Sequence, residues 1–120
     1  MSPGTHSIGP EARLRTRKDF DRVFTLGRKA AGRNLILWYG TAPGGESARL
    51  GLAISARVGC AVKRNRFKRL AREAFRLNKP KLRGGTDFVI YIRPGCRWTG
   101  LAGAQADLLQ LCDKEGLLTA

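Results

Sequence analysis

The chain has 120 residues, which is enough for one domain with a modest hydrophobic core. Its 23 Lys and Arg residues outnumber 9 Asp and Glu residues, and the resulting formal charge of +14 implies a polyanionic partner, most often nucleic acid. Because 42% of the residues are hydrophobic, a disordered basic tail is excluded and a folded basic domain is expected.

The cysteines and the apolar runs indicate the cellular compartment of the protein. Cys60, Cys96 and Cys112 are odd in number and far apart, which favours free thiols over disulfides or a metal site. No apolar run reaches transmembrane length, and the first residues lack the apolar core of a signal peptide. These features predict a cytoplasmic protein without a membrane partner.

The N-terminal part of the chain predicts an arm followed by a helix. Residues 1–12 are rich in Pro and Gly and are predicted to be a flexible arm, which leaves 13–120 as the folded domain. Thr16 and Asp19 fit a capping box, and Gly27 marks the end of the helix. The helix carries an apolar stripe at i, i+3 and i+4: Phe20, Val23 and Phe24.

Two strand-forming runs come next, at residues 35–39 and 49–55, with a Pro- and Gly-rich turn at 43–47 between them. The second run alternates, so its two sets of side chains are expected on opposite sides. One side has Leu50, Leu52 and Ile54, and the other has Gly51, Ala53 and Ser55. The central runs also leave room for a third strand, whose boundaries the pattern does not fix.

The remaining chain predicts two helices around one strand. A long basic helix is expected from near Val62 to Asn78 and is stopped by Pro80, before a strand at 88–92. Thr99 is predicted to cap the last helix, whose apolar face is Leu101, Ala104, Leu108, Leu111 and Cys112. The fold class is therefore a single compact α+β domain in the order α-β-β-β-α-β-α, with helices packed on a central sheet.

The basic helix is amphipathic on a helical wheel. Its apolar side holds Phe67, Leu70, Ala71, Ala74 and Phe75. Its opposite side holds Asn65, Arg69, Arg72 and Arg76, flanked by Lys68 and Lys79. Eleven cations against the single acid Glu73 lie between residues 57 and 83, at positions 57, 63, 64, 66, 68, 69, 72, 76, 79, 81 and 83. A merely solubilising helix normally interleaves both signs, so this pattern favours a surface that binds a phosphate backbone.

The same segment carries a resemblance to a known family. The run GLAISARVGCAVKRNRFKRLAREAFR at residues 51–76 closely resembles the signature of the bacterial ribonuclease P protein subunit, whose hallmark is the Arg-Asn-Arg segment at 64–66. The similarity extends to DFDRVF at 19–24, to the Gly-Arg pair at 27–28 and to DFVI at 87–90. Most of residues 14–93 are covered.

The resemblance implies a function in which the protein is not the catalyst. In that family a large RNA holds Mg²⁺ and hydrolyses a phosphodiester bond of precursor tRNA, which releases the 5′ leader and leaves a 5′-phosphate. The implied partners are this catalytic RNA and precursor tRNA, with no obligatory protein partner and no metal bound by the protein alone. The family fold also implies a left-handed strand–helix–strand crossover, against the usual right-handed rule.

Site residues follow from the resemblance and the wheel together. The residues assigned to the RNA subunit are Arg64, Asn65, Arg66, Lys68, Arg69, Arg72 and Arg76. Those assigned to the leader are Phe20, Phe24, Ile36, Trp38, Gly51, Ala53, Ser55, Arg57 and Tyr91. Phenylalanines can stack on unpaired bases, although core packing is the alternative for both of them. The chain departs from the family pattern at Ala53, Ala56 and Cys60, which removes a cation and a hydroxyl from the leader rim.

Three other functions are weaker. A stand-alone nuclease needs its own acid/base or metal set, and the one histidine, His6, lies in the predicted arm. A ribosomal protein or RNA chaperone fits the charge and size and is the main alternative. A DNA-binding regulator is less well supported, because no helix-turn-helix spacing precedes the basic helix.

Overall fold

The computed structural model describes residues 17–41 and 48–119. Its elements are α1 (Arg17–Leu26), β1 (Arg28–Ala31), β2 (Leu35–Thr41), β3 (Arg49–Ile54), α2 (Ala61–Asn78), β4 (Thr86–Ile92) and α3 (Leu101–Lys114). Short 3₁₀ turns follow β3 at Ala56–Val58 and α2 at Lys79–Lys81. This order confirms the predicted α+β architecture. The predicted arm, the Thr16 cap and the turn at 43–47 lie outside the described residues.

The four strands form one sheet in the order β1-β2-β4-β3. β1 pairs with β2 and β2 pairs with β4 in antiparallel fashion, whereas β3 runs parallel to β4. Two adjacent parallel strands need a crossover connection, and α2 supplies it between β3 and β4. The left hand of that crossover stays a prediction of the family resemblance.

The two sides of the sheet are packed by different helices. The main core lies on the side of α2 and α3, where sheet residues such as Leu37 and Ile90 join Phe75 of α2 and Leu108 of α3. On the opposite side α1 places Val23 against Val89 of β4. The predicted alternation of β3 is confirmed, because Leu50, Leu52 and Ile54 all belong to the α2 side.

The α2 helix matches its prediction closely. It begins at Ala61 and ends at Asn78, and Pro80 lies in the 3₁₀ turn that follows. The apolar side of α2 is buried as expected, at Phe67, Ala71, Ala74 and Phe75, with Leu70 partly buried against the same core. The face predicted for α3 is also confirmed, since Ala104, Leu108, Leu111 and Cys112 are buried and Leu101 packs against the core.

The predicted Thr99 cap is wrong. Gly100 occupies the N-cap position of α3 in an extended conformation, and no side chain caps the helix there. The backbone carbonyl of Thr99 instead accepts a hydrogen bond of 2.8 Å from the guanidinium of Arg66. Packing of the apolar face of α3, rather than a capping side chain, therefore determines where this helix begins.

Gly27 ends α1 as predicted, but the reason lies in the packing. A Cβ atom at this position would come within 2.4 Å of the Tyr39 carbonyl oxygen and 2.5 Å of the Val23 carbonyl oxygen. Glycine therefore permits the close approach of the α1–β1 junction to β2. This junction leads directly into β1, the strand whose boundaries the sequence pattern left open.

A buried carboxylate joins α1 to the sheet. Asp87, at the start of β4, has no exposed surface and accepts hydrogen bonds from Arg49 of β3 at 2.7 and 2.8 Å. Arg22 of α1 also donates to Asp87, and it bonds Asp19 at 2.9 Å. The hydrogen bond to Asp87 is the main reason why the pKa of Arg49 is raised. Two guanidinium groups thus compensate one buried charge and fix α1 across β3 and β4.

Candidate nucleic-acid interface

The cationic stripe is the outward side of α2 together with the residue that follows the helix, and is defined by Asn65, Lys68, Arg69, Arg72, Arg76 and Lys79. Asn65 and Arg69 are exposed, and the other four side chains are half-buried along the helix surface. The stripe lies opposite the buried residues of α2, as the helical wheel predicts. Arg64, in the first turns of α2, is half-buried beside it. An array of this kind can bind a row of phosphates, because one guanidinium group can donate two parallel hydrogen bonds to one phosphate.

Arg66 and Arg76, both assigned to the RNA subunit, also have partners within the chain. Arg76 donates to Glu73 one turn earlier, with 3.2 Å between Nε and Oε2, and this pairing raises the pKa of Arg76. Arg66 is exposed, but one of its guanidinium N–H groups donates to the Thr99 carbonyl and so links α2 to the segment after β4. A guanidinium has five N–H donors, so both residues retain donors for phosphate.

The aromatic face is the side of the sheet turned toward α1, defined by Ile36, Trp38, Gly51, Ala53 and Tyr91 with Phe20 and Phe24 of the helix. The strand register brings its sheet members together. Tyr91 pairs with both Ile36 and Ala53, and Val89 pairs with Trp38 and Gly51. Ile36, Trp38, Ala53 and Tyr91 are all partly exposed. Gly51 lies on the same face but is buried. The accessible sheet part of the predicted leader face is therefore Ile36, Trp38, Ala53 and Tyr91.

The α1 helix supplies aromatic rings to this face. The Phe20 and Phe24 ring centroids are 6.3 Å apart, and Phe24 meets Trp38 edge-to-face at 5.1 Å. Phe24 is 37% exposed, so core packing does not account for it. Phe20 is half-buried and also packs on the Val23–Val89 contact. Exposed rings in a basic protein are suited to stacking on unpaired bases.

The rim of the aromatic face begins where β3 ends. Ser55 accepts a hydrogen bond of 3.1 Å from the Arg57 backbone N–H and so caps the short turn that follows. The Arg57 side chain is exposed, and Ala56 beside it adds no charge. Arg57 therefore places a cation at this rim.

Comparison with known proteins relates these surfaces to a family. The family model described as Ribonuclease P matches residues 8–116. A ribonuclease P protein component of Dictyoglomus thermophilum is 38% identical over 93 residues, which are 77% of this chain and 76% of that protein. One of Clostridium acetobutylicum is 35% identical over 90% of this chain and 92% of its own length. The chain belongs to the ribonuclease P protein family.

A solved structure of this family supports the same conclusion for the fold. The RNase P protein from Thermotoga maritima is 29% identical, covers 85% of this chain and 96% of its own, and superimposes with a TM-score of 0.76. The chain is accordingly a protein subunit of ribonuclease P, and its role lies within an endoribonuclease holoenzyme.

One cation near the aromatic face escaped the sequence analysis. Lys29 of β1 pairs with Trp38 in the sheet register, and its ammonium lies 5.3 Å from the centroid of the Trp38 ring. A cation over an indole face is favourable. The residue was missed because β1 has no apolar pattern, so the only available signal was the basic pair Arg28-Lys29 itself.

The three cysteines are free thiols, as predicted, but their surroundings differ. Cys60 is exposed at the N-cap of α2, where the backbone N–H of Lys63 is the main cause that lowers the pKa of its thiol. Cys112 has no exposed surface, and burial raises the pKa of its thiol to about 12. Burial also raises the pKa of Cys96.

These differences predict an order of alkylation. Iodoacetamide at pH 7.5 should modify Cys60 first and leave Cys112 unmodified while the protein is folded, because the thiolate is the reactive species. Peptide mass spectrometry over time measures the order, and the same reaction in 6 M guanidinium chloride should modify all three. Modification of Cys112 at the rate of Cys60 in the folded protein would contradict the assigned environments.

The described residues offer neither a metal cluster nor a membrane span. Within 17–41 and 48–119, no three His, Cys, Asp or Glu side chains are grouped so that they could hold a metal ion. In the same part of the chain, no helix combines the length and the apolar character needed to cross a bilayer. That the protein alone binds no Mg²⁺ stays a prediction.

Proposed function

We propose that this subunit docks on the RNA of ribonuclease P through the cationic stripe and holds the 5′ leader of precursor tRNA on the aromatic face. The observation that carries the proposal is the separation of these two surfaces. The stripe belongs to a helix on one side of the sheet, whereas the aromatic face lies on the other side. The chain can thus contact two RNAs at the same time.

Charge density supports the stripe as the site for the RNA subunit. A structured RNA offers closely spaced phosphates, and each phosphate contact releases counterions, so binding weakens steeply as salt rises. Arg69 is exposed near the middle of the stripe, next to the half-buried Lys68 and Arg72. Asn65 adds no charge, but its amide both donates and accepts hydrogen bonds, which suits a ribose hydroxyl or a base edge.

Removing one stripe cation tests this docking. Arg69→Ala should weaken binding of the RNA subunit and reduce the slope of log affinity against log salt by about one unit. Lys114→Ala is the matched control, because Lys114 is an exposed cation in the last turn of α3. Binding titrations at four salt concentrations measure both slopes. Equal changes in the two variants would mean that overall charge, not the stripe, determines binding.

Shape and chemistry support the aromatic face as the leader site. Ala53 is small and partly exposed, so an extended strand of RNA can approach the end of β3 closely. Phe24 and Trp38 offer ring surface for bases, while Lys29 and Arg57 stand near the edges for phosphates. These contacts are stacking and phosphate contacts, which do not distinguish one base from another. They are therefore suited to a leader of variable sequence.

The chemical step is assigned to the RNA subunit in this proposal. Mg²⁺ held by that RNA would activate water and stabilise the charge of the phosphodiester undergoing hydrolysis. The protein's own residues bind and orient: the stripe fixes the protein on the RNA, and the aromatic face holds the leader. The products are the free leader and a tRNA with a 5′-phosphate. Location in the cytoplasm stays a prediction of the sequence.

A further inference from the structure

A mostly apolar cavity lies between the N-terminal half of α2 and the segment that follows β4. Its volume is about 430 Å³, within the range of small-ligand sites. Its floor is formed by Phe67 of α2 with Cys96 and Trp98 of the following segment, all of them buried. It belongs to neither the cationic stripe nor the aromatic face.

The floor of this cavity is held in place by specific contacts. Phe67 and Trp98 pack edge-to-face with ring centroids 6.1 Å apart, and the Trp98 indole N–H donates to Asp107 of α3 at 2.7 Å. Asn34 donates to the same carboxylate at 2.8 Å and accepts the Arg97 backbone N–H at 2.9 Å. The cavity is therefore preformed, which lowers the entropic cost of filling it.

The rim combines positive charge with an exposed apolar side chain. Lys63, Arg66 and Arg97 surround the opening, and none of the described residues that line the cavity is acidic. Val62, in the first turn of α2, also lines it and is 78% exposed beside the exposed cations Lys63 and Arg66. Lys63 lies 5.9 Å from the Phe67 ring centroid, so its charge sits directly over the apolar floor.

We propose that this cavity receives one unstacked nucleotide of the RNA subunit. A nucleotide matches both parts of the site, since its base is largely apolar on its faces and its phosphate is anionic. Lys63 and Arg66 belong to the helix that carries the cationic stripe, whereas the aromatic face lies across the sheet. The RNA subunit rather than the leader is thus the source. This inference rests on the proposed docking of α2 on that RNA.

Val62 offers a test that leaves every charge unchanged. Val62→Ser should weaken binding of the full-length RNA subunit about five- to tenfold, because it removes apolar contact with the base, and the salt slope should not change. The matched control is Leu77→Ser, on the same helix and 44% exposed but outside the cavity, which should bind within twofold of the parent. Arg97→Ala should reduce both the affinity and the salt slope. Urea melts check that all variants are folded.

The outcomes separate this inference from the proposed function. If the parent protein does not bind the RNA subunit, the proposed function fails. If the parent binds and Val62→Ser binds equally well, or if both serine variants lose affinity alike, the cavity is not a nucleotide site. Loss of affinity for precursor tRNA alone, with RNA-subunit binding intact, would place the leader in the cavity and also overturn the assignment.

Discussion

Replacement of Asp87 by alanine is expected to lower the free energy of unfolding by about 3–5 kcal/mol. The carboxylate is completely buried, and its loss leaves the guanidinium groups of Arg22 and Arg49 without their shared counter-charge. Their side chains remain 23% and 26% exposed, so hydration offsets part of the loss and the lower end of that range is expected. Urea denaturation measures the change.

The control for this experiment lies on the surface of α1. Asp21 is exposed, and Asp21→Ala should change stability by less than about 0.5 kcal/mol. Because Asp87 also fixes α1 across the sheet, any folded Asp87→Ala protein should bind the leader less well. An effect on stability as small as that of Asp21→Ala would show that the buried ion cluster does not hold α1 in place.

Removal of the Phe24 ring should weaken binding of precursor tRNA by the holoenzyme by about 1–3 kcal/mol, the energy of one stacked base. Mature tRNA has no leader, so its affinity should be the same for Phe24→Ala and parent holoenzymes. The ring is 37% exposed, and the variant should therefore remain folded. Parallel binding titrations with the two RNAs give the comparison.

Leu26→Ala is the matched control for the aromatic face. Leu26 is an apolar residue at the end of the same helix, is 79% exposed and has no ring that could stack on a base. Its loss should leave both tRNA affinities unchanged. If Phe24→Ala reduces the affinity for mature and precursor tRNA equally, the ring does not contact the leader.

The helices were predicted well because the spacing of their apolar residues corresponds to the side chains that they bury in the core. The i, i+3, i+4 spacing in α2 corresponds to side chains packed in the core, and Pro80 ends the helix because it cannot continue the backbone hydrogen bonds. The Thr99 cap failed for a related reason. A capping residue is a weak local preference, and packing of the α3 face overrides it.

The strand β1 could not be located from its own residues. Its sequence, Arg-Lys-Ala-Ala, has neither apolar alternation nor β-branched side chains. It forms because the close turn at Gly27 brings it beside β2, where Ala30 is buried and Lys29 lies over Trp38. Both causes are tertiary contacts. Lys29 was consequently absent from the predicted leader residues.

The aromatic face was predictable as a set of residues but not as an arrangement. Alternation along β3 placed Gly51 and Ala53 on one side, yet their pairing with Val89 and Tyr91 depends on the sheet order β1-β2-β4-β3. That order follows from the α2 crossover, which a single sequence does not specify. The ion pairs of Asp87 were also missed, although the sequence held a signal for them. An acid at the start of an apolar strand is buried with the strand and therefore requires cationic partners.

Cleavage of precursor tRNA by a bacterial ribonuclease P RNA, assayed over a range of Mg²⁺ concentrations with and without this protein, tests the central claim most directly. The account predicts no cleavage by the protein alone. With the RNA present, the protein should lower the Mg²⁺ concentration needed to release the leader, because its cations neutralise phosphate charge and its aromatic face binds the substrate. Cleavage by RNA-free protein, or an unchanged Mg²⁺ requirement, would contradict it.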